Sequence, residues 1–243
     1  MTFLAIIIAV FVFAGTIKGM IGLGLPAVSM GLLTIAMSPF QAASLLIVPS
    51  MITNIWQLFA EGRVWAFIRR FWTLLAGIIA GSIWSFLPTL SQSHGHHSEI
   101  LLGCMLALYG LYGLCVKKLP HLGQYERWLS PVVGYLGGAV TVATGVVIIP
   151  VVPYLQSLHL QRDELVQALG LTFTVSTFCL AFFLHHHPMQ GITLDYRLSA
   201  VALVAALLGM WLGKKIRYQL NEQRFRRLFF MGLTALGLYM ILH

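Results

Sequence analysis

The chain has too little charge to cover a water-facing surface: 9% of its 243 residues are Asp, Glu, Lys or Arg, against 58% apolar. A soluble domain carries roughly a quarter charged residues, so that class is excluded. Cysteine is scarce as well. Cys104, Cys115 and Cys179 all sit in apolar runs with no C-x-x-C pair, which argues against a disulfide framework and a redox motif. Acids are rarest of all. The seven (Glu61, Glu99, Glu126, Asp163, Glu164, Asp195, Glu222) lie at or near segment ends, so no carboxylate sits in an apolar centre. That disfavours a sodium or metal site lined with carboxylates, and it removes the usual membrane proton relay. The net charge of +8 forms no basic stripe on a soluble face, so nucleic acid is not expected as a partner. Met1-Thr2-Phe3 has neither a positive n-region nor a cleavage site, and reads as a retained first membrane segment.

What is plentiful is apolar length. A bilayer core of about 30 Å takes roughly 20 residues of helix per crossing. The apolar segments run Phe3–Ile17, Leu25–Met37, Gln41–Phe59, Phe71–Leu90 and Ile100–Val116. After a basic linker come Leu129–Val142, Val146–Leu158, Leu165–Leu184, Leu194–Leu212 and Phe225–Leu242. The first two of each set are short, as tilted spans or re-entrant half-helices. The expected fold is an all-α polytopic membrane protein with a first repeat at 1–118, a linker at 119–128 and a second repeat at 129–243.

Charge placement orients the chain. Alternating sides along ten segments puts fourteen of the fifteen Lys and Arg on one face and Arg197 on the other. Positive residues accumulate on the cytoplasmic side, so both termini are expected outside. Trp56, Trp65, Trp72, Trp128 and Trp211 fall near the same ends, as interfacial aromatics do.

The two halves share an ordered pattern. Gly15 and Gly22 match Gly138 and Gly145, Ala42 matches Ala168, and Gly62 matches Gly191. Gly77 and Gly81 match Gly209 and Gly213, and Gly110-Leu111-Tyr112 matches Gly237-Leu238-Tyr239. With five segments per half the second copy starts from the opposite side, giving an inverted-topology repeat, the architecture of many secondary transporters.

Each half opens on an interrupted segment. Ala14 to Pro26 breaks the first run with Gly15, Gly19, Gly22 and Gly24, and Pro26 suits the first turn of a new helix. Helix starts carry unpaired N–H groups and a positive dipole end, which attract an anion. The counterpart, Gly137 to Pro150, places Thr141 and Thr144 before Gly145, with hydroxyls able to donate to an oxyanion. Lys18 is either an intramembrane ammonium or a cytoplasmic turn residue, according to how the hairpin sits. Ser50, Asn54 and Gln57 share one helix face, and Gln167, Gly170, Thr174 and Thr177 recur at helical steps beside Thr172 and Ser176. Hydroxyls in membrane helices often bond their own i−4 carbonyl instead of a ligand.

At these residues the chain resembles the sulfite exporter TauE/SafE family of bacterial anion permeases. The matching blocks are Gly15-x-x-x-Gly19-x-x-Gly22-x-Gly24 with Pro26, the run Leu165 to Thr177, and the ending Leu212-Gly213-Lys214-Lys215-Ile216-Arg217 to Leu228. The family motif carries more glycine than this chain, where Leu25 follows Gly24 and Val146-Val147 follow Gly145. The resemblance implies a bacterial inner-membrane exporter of sulfite, organosulfonates or similar small anions.

The expected substrate site comprises Lys18, Gly19, Gly22, Gly24, Asn54, Gln57, Thr141, Thr144, Gly145, Thr174 and Ser176. It lies near the midplane between the two broken segments and opens alternately to each side. No catalytic group, metal or cofactor is called for. The partners are the bilayer and a small anion, with a homodimer admissible. His94-Gly95-His96-His97 and His185-His186-His187 on the external face supply the rival reading, a transition-metal or other small-solute transporter. A membrane enzyme lacks any evident nucleophile–base pair. A non-transporting membrane scaffold is the other alternative, against which the lack of a long polar stretch in this sequence counts mildly.

Overall fold

The computed structural model describes residues 2–59, 62–91, 96–116, 120–187, 196–217 and 222–242, which among themselves are helical with no strand. The ten α-helices are α1 (Thr2–Ile21), α2 (Leu25–Leu33), α3 (Pro39–Phe59), α4 (Val64–Ile83), α5 (His96–Cys115), α6 (Glu126–Thr144), α7 (Val151–Ser157), α8 (Arg162–His186), α9 (Tyr196–Arg217) and α10 (Glu222–Leu242). Seven of them (α1, α3, α4, α5, α8, α9 and α10) are long and apolar enough to cross a bilayer. The chain is a multi-pass membrane protein.

Segment lengths differ from expectation at the start of each half. The opening helices are full-length, 20 residues in α1 and 19 in α6, because each runs on through its glycines to a later stop. The helices after them are shorter than expected, at 9 and 7 residues. At 1.5 Å per residue α2 and α7 reach roughly 14 and 10 Å, under half the hydrocarbon thickness. They are half-helices. Within the expected linker 119–128, a 3₁₀ turn at Gly123–Tyr125 leads straight into α6 at Glu126. Gly191, the expected match of Gly62, lies outside the described residues.

The helices gather into two compact units. One holds Met1–Pro49, His94–Lys117 and Met189–His243; the other holds Ser50–Ser93 and Lys118–Pro188. In the first, α1 packs on α9 and α5 on α10, with α2 against α1, α5 and α10. In the second, α4 packs on α6, and α8 lies against α4, α6 and α7. The first helix of each sequence half thus packs on the fourth helix of the other half.

Lipid removes the hydrophobic drive between helices, so close backbone approach has to hold them. Glycine pairs four apart provide it in both units. Gly15 and Gly19 of α1 meet the main chain of Ala206 and Met210, while Gly209 and Gly213 of α9 meet that of Val12 and Thr16. In the second unit Gly134 and Gly138 of α6 meet Leu74 and Ile78, and Gly77 and Gly81 of α4 meet Pro131 and Tyr135. A Cβ added at Gly77 would stand 3.1 Å from the Gly134 Cα. All six tryptophans, from Trp56 to Trp211, are more than 60% exposed, which marks them as bilayer-facing and not core residues.

Candidate functional site

The first helix break belongs to the first unit. α1 ends where Gly22 turns left-handed (φ 78°) and its N–H donates to the Lys18 carbonyl over 2.8 Å. Gly24, left-handed at φ 102°, then caps α2, Pro26 occupies the first turn, and Val28 N–H donates to Gly24 O at 2.8 Å. The backbone is tight there. A Cβ at Gly24 would lie 3.0 Å from Ile17 Cγ2 and 3.2 Å from the Phe229 ring. Lys18 therefore falls within the last turn of α1, at 3% exposure, and is neither a loop residue nor a surface one. Gly19 is committed to packing on Met210. The Ser29 hydroxyl on α2 is fully buried and has no hydrogen-bond partner.

The second break belongs to the second unit and repeats the same ending. Gly145 is left-handed at φ 78° and its N–H donates to Thr141 O at 2.8 Å. Beyond it Val146–Ile148 are non-helical, the Ile149–Pro150 bond is cis, and α7 begins at Val151. The last carbonyls of α6 need partners, and Leu90 N–H supplies one to Val142 O at 2.9 Å.

The threonines here are engaged by the main chain. Thr141 donates to Gly137 O at 2.7 Å, and Thr144 donates to Val140 O at 2.7 Å while accepting from Val146 N–H at 3.3 Å. A hydroxyl has one proton to give, so each must release a backbone bond before it can hold an anion.

A third polar region lies where α3 and α8 meet in the second unit. The Asn54 amide donates to Thr177 Oγ1 at 3.4 Å. Gln57 Nε2 donates to Val166 O and Gln167 Nε2 to Leu58 O, both at 2.9 Å. This reciprocal pair ties the end of α3 to the start of α8, and Gln167 satisfies a carbonyl that the end of α3 leaves open. Gly170 fits the same crossing, since a Cβ there would lie 2.7 Å from Leu58 N. Thr174 donates its proton to Gly170 O at 2.6 Å and lines a cavity of about 800 Å³. The cavity walls are largely apolar, including Ile79, Ile83, Phe178 and Phe182, and Thr174 is the one expected site residue among them. Ser176, two positions on, is 1% exposed and its hydroxyl has no partner. Two residues along a helix turn side chains to nearly opposite faces, so Thr174 and Ser176 serve different surroundings.

Lys18, Gly19, Gly22 and Gly24 are thus grouped in the first unit. Asn54, Gln57, Thr141, Thr144, Gly145, Thr174 and Ser176 are in the second. Ser29, Ser50 and Thr177 lie outside the expected set. Ser50 and Thr177 carried a signal, since both sit on the polar helix faces of Asn54 and Gln167. Ser29 is a lone hydroxyl in an apolar helix and carried none.

His185, His186 and His187 are exposed at the end of α8, with the Nδ1 atoms of His186 and His187 against Phe182 O and Phe183 O. Among the described residues no three His, Cys, Asp or Glu side chains converge as a metal set, and His94 and Gly95 lie outside those residues.

A family model described as sulfite exporter TauE/SafE matches residues 7–240, nearly the whole chain. Comparisons with curated proteins and with solved structures found no match.

Proposed function

The chain belongs to the sulfite exporter TauE/SafE family, and from that premise we propose that it carries sulfite or small organosulfonates across the bacterial cytoplasmic membrane. The observation that supports an anion is Lys18, a lysine 3% exposed in the last turn of a membrane-spanning helix and one turn before a left-handed glycine break. An ionisable side chain buried within a membrane-spanning helix is by default a functional candidate. No described acid competes for that ligand from the interior of a span: Glu99, Glu126, Asp163 and Glu164 all sit in the first turns of their helices.

The direction is export, and the mechanism is alternating exposure of the site by two inverted repeats. In the first unit Lys18 with the Gly22–Gly24 main chain attracts the anion; Asn54, Gln57, Thr141, Thr144, Gly145, Thr174 and Ser176 are the candidate neutral groups of the second unit. We infer outward-facing termini from the clustering of Lys and Arg over ten alternating segments, a count in which α2 and α7 each complete a crossing with the non-helical residues beside them. The protein acts as a carrier and not as an enzyme.

The test is flux of radiolabelled sulfite, with sulfonates and carboxylates as competitors, in proteoliposomes with and without a proton gradient. Saturable sulfite movement that sulfonates inhibit and carboxylates do not is the expected result. Folded, reconstituted protein that moves no anion would overturn the reading. A C-terminal reporter active only outside the cytoplasm is expected from the orientation.

A further inference from the structure

Ser50 and Ser176 stand 126 residues apart, the same offset that relates Gln41-Ala42 to Gln167-Ala168. They therefore occupy equivalent places in the third helix of each half. Both are in the second compact unit. Their exposures are 2% and 1%, and neither hydroxyl has a hydrogen-bond partner.

Other hydroxyls on these two helices behave differently. Ser44 donates to Phe40 O at 2.8 Å, Thr53 to Ser50 O at 3.2 Å and Thr172 to Ala168 O at 2.9 Å. Bonding a carbonyl one turn back is the default for Ser and Thr where no water is present. A buried hydroxyl left unsatisfied costs stability, and native structures seldom keep one without a ligand or water to fill it. Among the described residues the hydroxyls of Ser29, Tyr109 and Ser199 are likewise buried without a partner, but of the five only Ser50 and Ser176 occupy positions the repeat makes equivalent.

The surroundings define what they would hold. Ser50 lies one turn before Asn54 on the same face of α3, and Ser176 adjoins Thr177, which the Asn54 amide reaches at 3.4 Å. The described acids of this unit, Glu126, Asp163 and Glu164, all lie in first turns of α6 and α8, away from this stretch. Neutral donors without a neighbouring carboxylate suit an oxyanion, whose oxygens accept hydrogen bonds and carry no proton to compete.

We propose that Ser50 and Ser176 form a repeat-related pair of donors to two oxygens of the –SO₃ head of the transported anion. The proposal rests on the anion-carrier reading above and adds to it Ser50 and its pairing with Ser176 as direct donors. Loss of one hydrogen bond to a charged ligand corresponds to about a tenfold weaker affinity.

Equilibrium binding of radiolabelled sulfite to the purified full chain, alongside its flux in proteoliposomes, tests this. Ser50→Ala and Ser176→Ala each raise the sulfite Kd about tenfold. Ser50→Thr and Ser176→Thr, which keep the hydroxyl, retain more affinity than the alanine variants and also serve if an alanine variant fails to fold. Ser44→Ala, which removes a hydroxyl already satisfied by the main chain, stays within about twofold of the parent. Unchanged Kd in both alanine variants, with sulfite still carried, would overturn the serine pair and leave the carrier reading intact. A folded parent that neither binds nor carries sulfite or sulfonates would overturn both.

Discussion

The two helix breaks share a backbone solution and differ in chemistry. Both opening helices end on a glycine at φ 78° whose N–H returns to a carbonyl four residues back at 2.8 Å. At the equivalent position the first break carries Lys18 and the second Thr141. The first break carries a buried lysine side chain. Thr141 and Thr144 give their protons to Gly137 and Val140 instead. Equivalent geometry thus presents a buried lysine at the first break and self-satisfied hydroxyls at the second. The repeat conserves how the chain turns, and not what each turn can bind.

The largest effect expected is one the two breaks share, since both depend on glycine crossings beside them. Gly19→Leu and Gly138→Leu drive side chains into the Met210 and Ile78 main chain. Each destabilises by about 3 kcal/mol, read as loss of the monodisperse species in detergent. Next comes the asymmetry itself. Lys18→Ala lowers sulfite transport about thirtyfold, the equivalent of roughly 2 kcal/mol of interaction with a charged ligand, while membrane insertion persists. Transport unaffected by this change would remove Lys18 from the site and erase the contrast.

Gly22→Ala and Gly145→Ala then sharpen the shared part. Each forces a Cβ into the left-handed region and costs about 1–2 kcal/mol, seen as similar falls in thermal unfolding temperature. Unequal falls would show that the breaks are not held alike. Gln167→Ala, which leaves the Leu58 carbonyl at the end of α3 without its amide donor, costs about 1 kcal/mol by the same measurement. The smallest effect is expected from Thr141→Val. It removes a proton donated to the main chain, so sulfite KM changes less than about threefold.

Much of the fold was legible because membranes impose few and strong rules. Scarce charge, apolar length and the ordered glycines pointed to a polytopic helical protein with two broken segments, and Pro26 correctly marked a helix start. The stopping points were less legible. Gly15, Gly19 and Lys18 look like breakers in a sequence, yet α1 runs through all three to Gly22. In lipid a mid-helix glycine is retained where another backbone packs on it, and nothing local reveals that Ala206 and Met210 are the neighbours.

The candidate site was legible as a set of residue types and much less as an arrangement. Asn54 and Gln57 were read together from their shared helix face, but their amides have different duties, one toward Thr177 and one toward the Val166 carbonyl. Thr174 and Ser176 are close in the chain, and helix geometry sends their side chains apart. Ser50 had the offset to mark it as the match of Ser176, but only its burial without a partner gives that match a chemical meaning.

By itself the sequence determined the solvent, the helical class, the positions of the two breaks to within a few residues, and a family. These follow from composition and local backbone chemistry, which do not depend on neighbours. The tertiary structure decided which glycines are contacts, how buried Lys18 is, and which hydroxyls are left without a partner among the described residues. A serine or threonine in a membrane helix can bond its own carbonyl, a neighbouring helix or a ligand at similar energy, so packing alone selects among them.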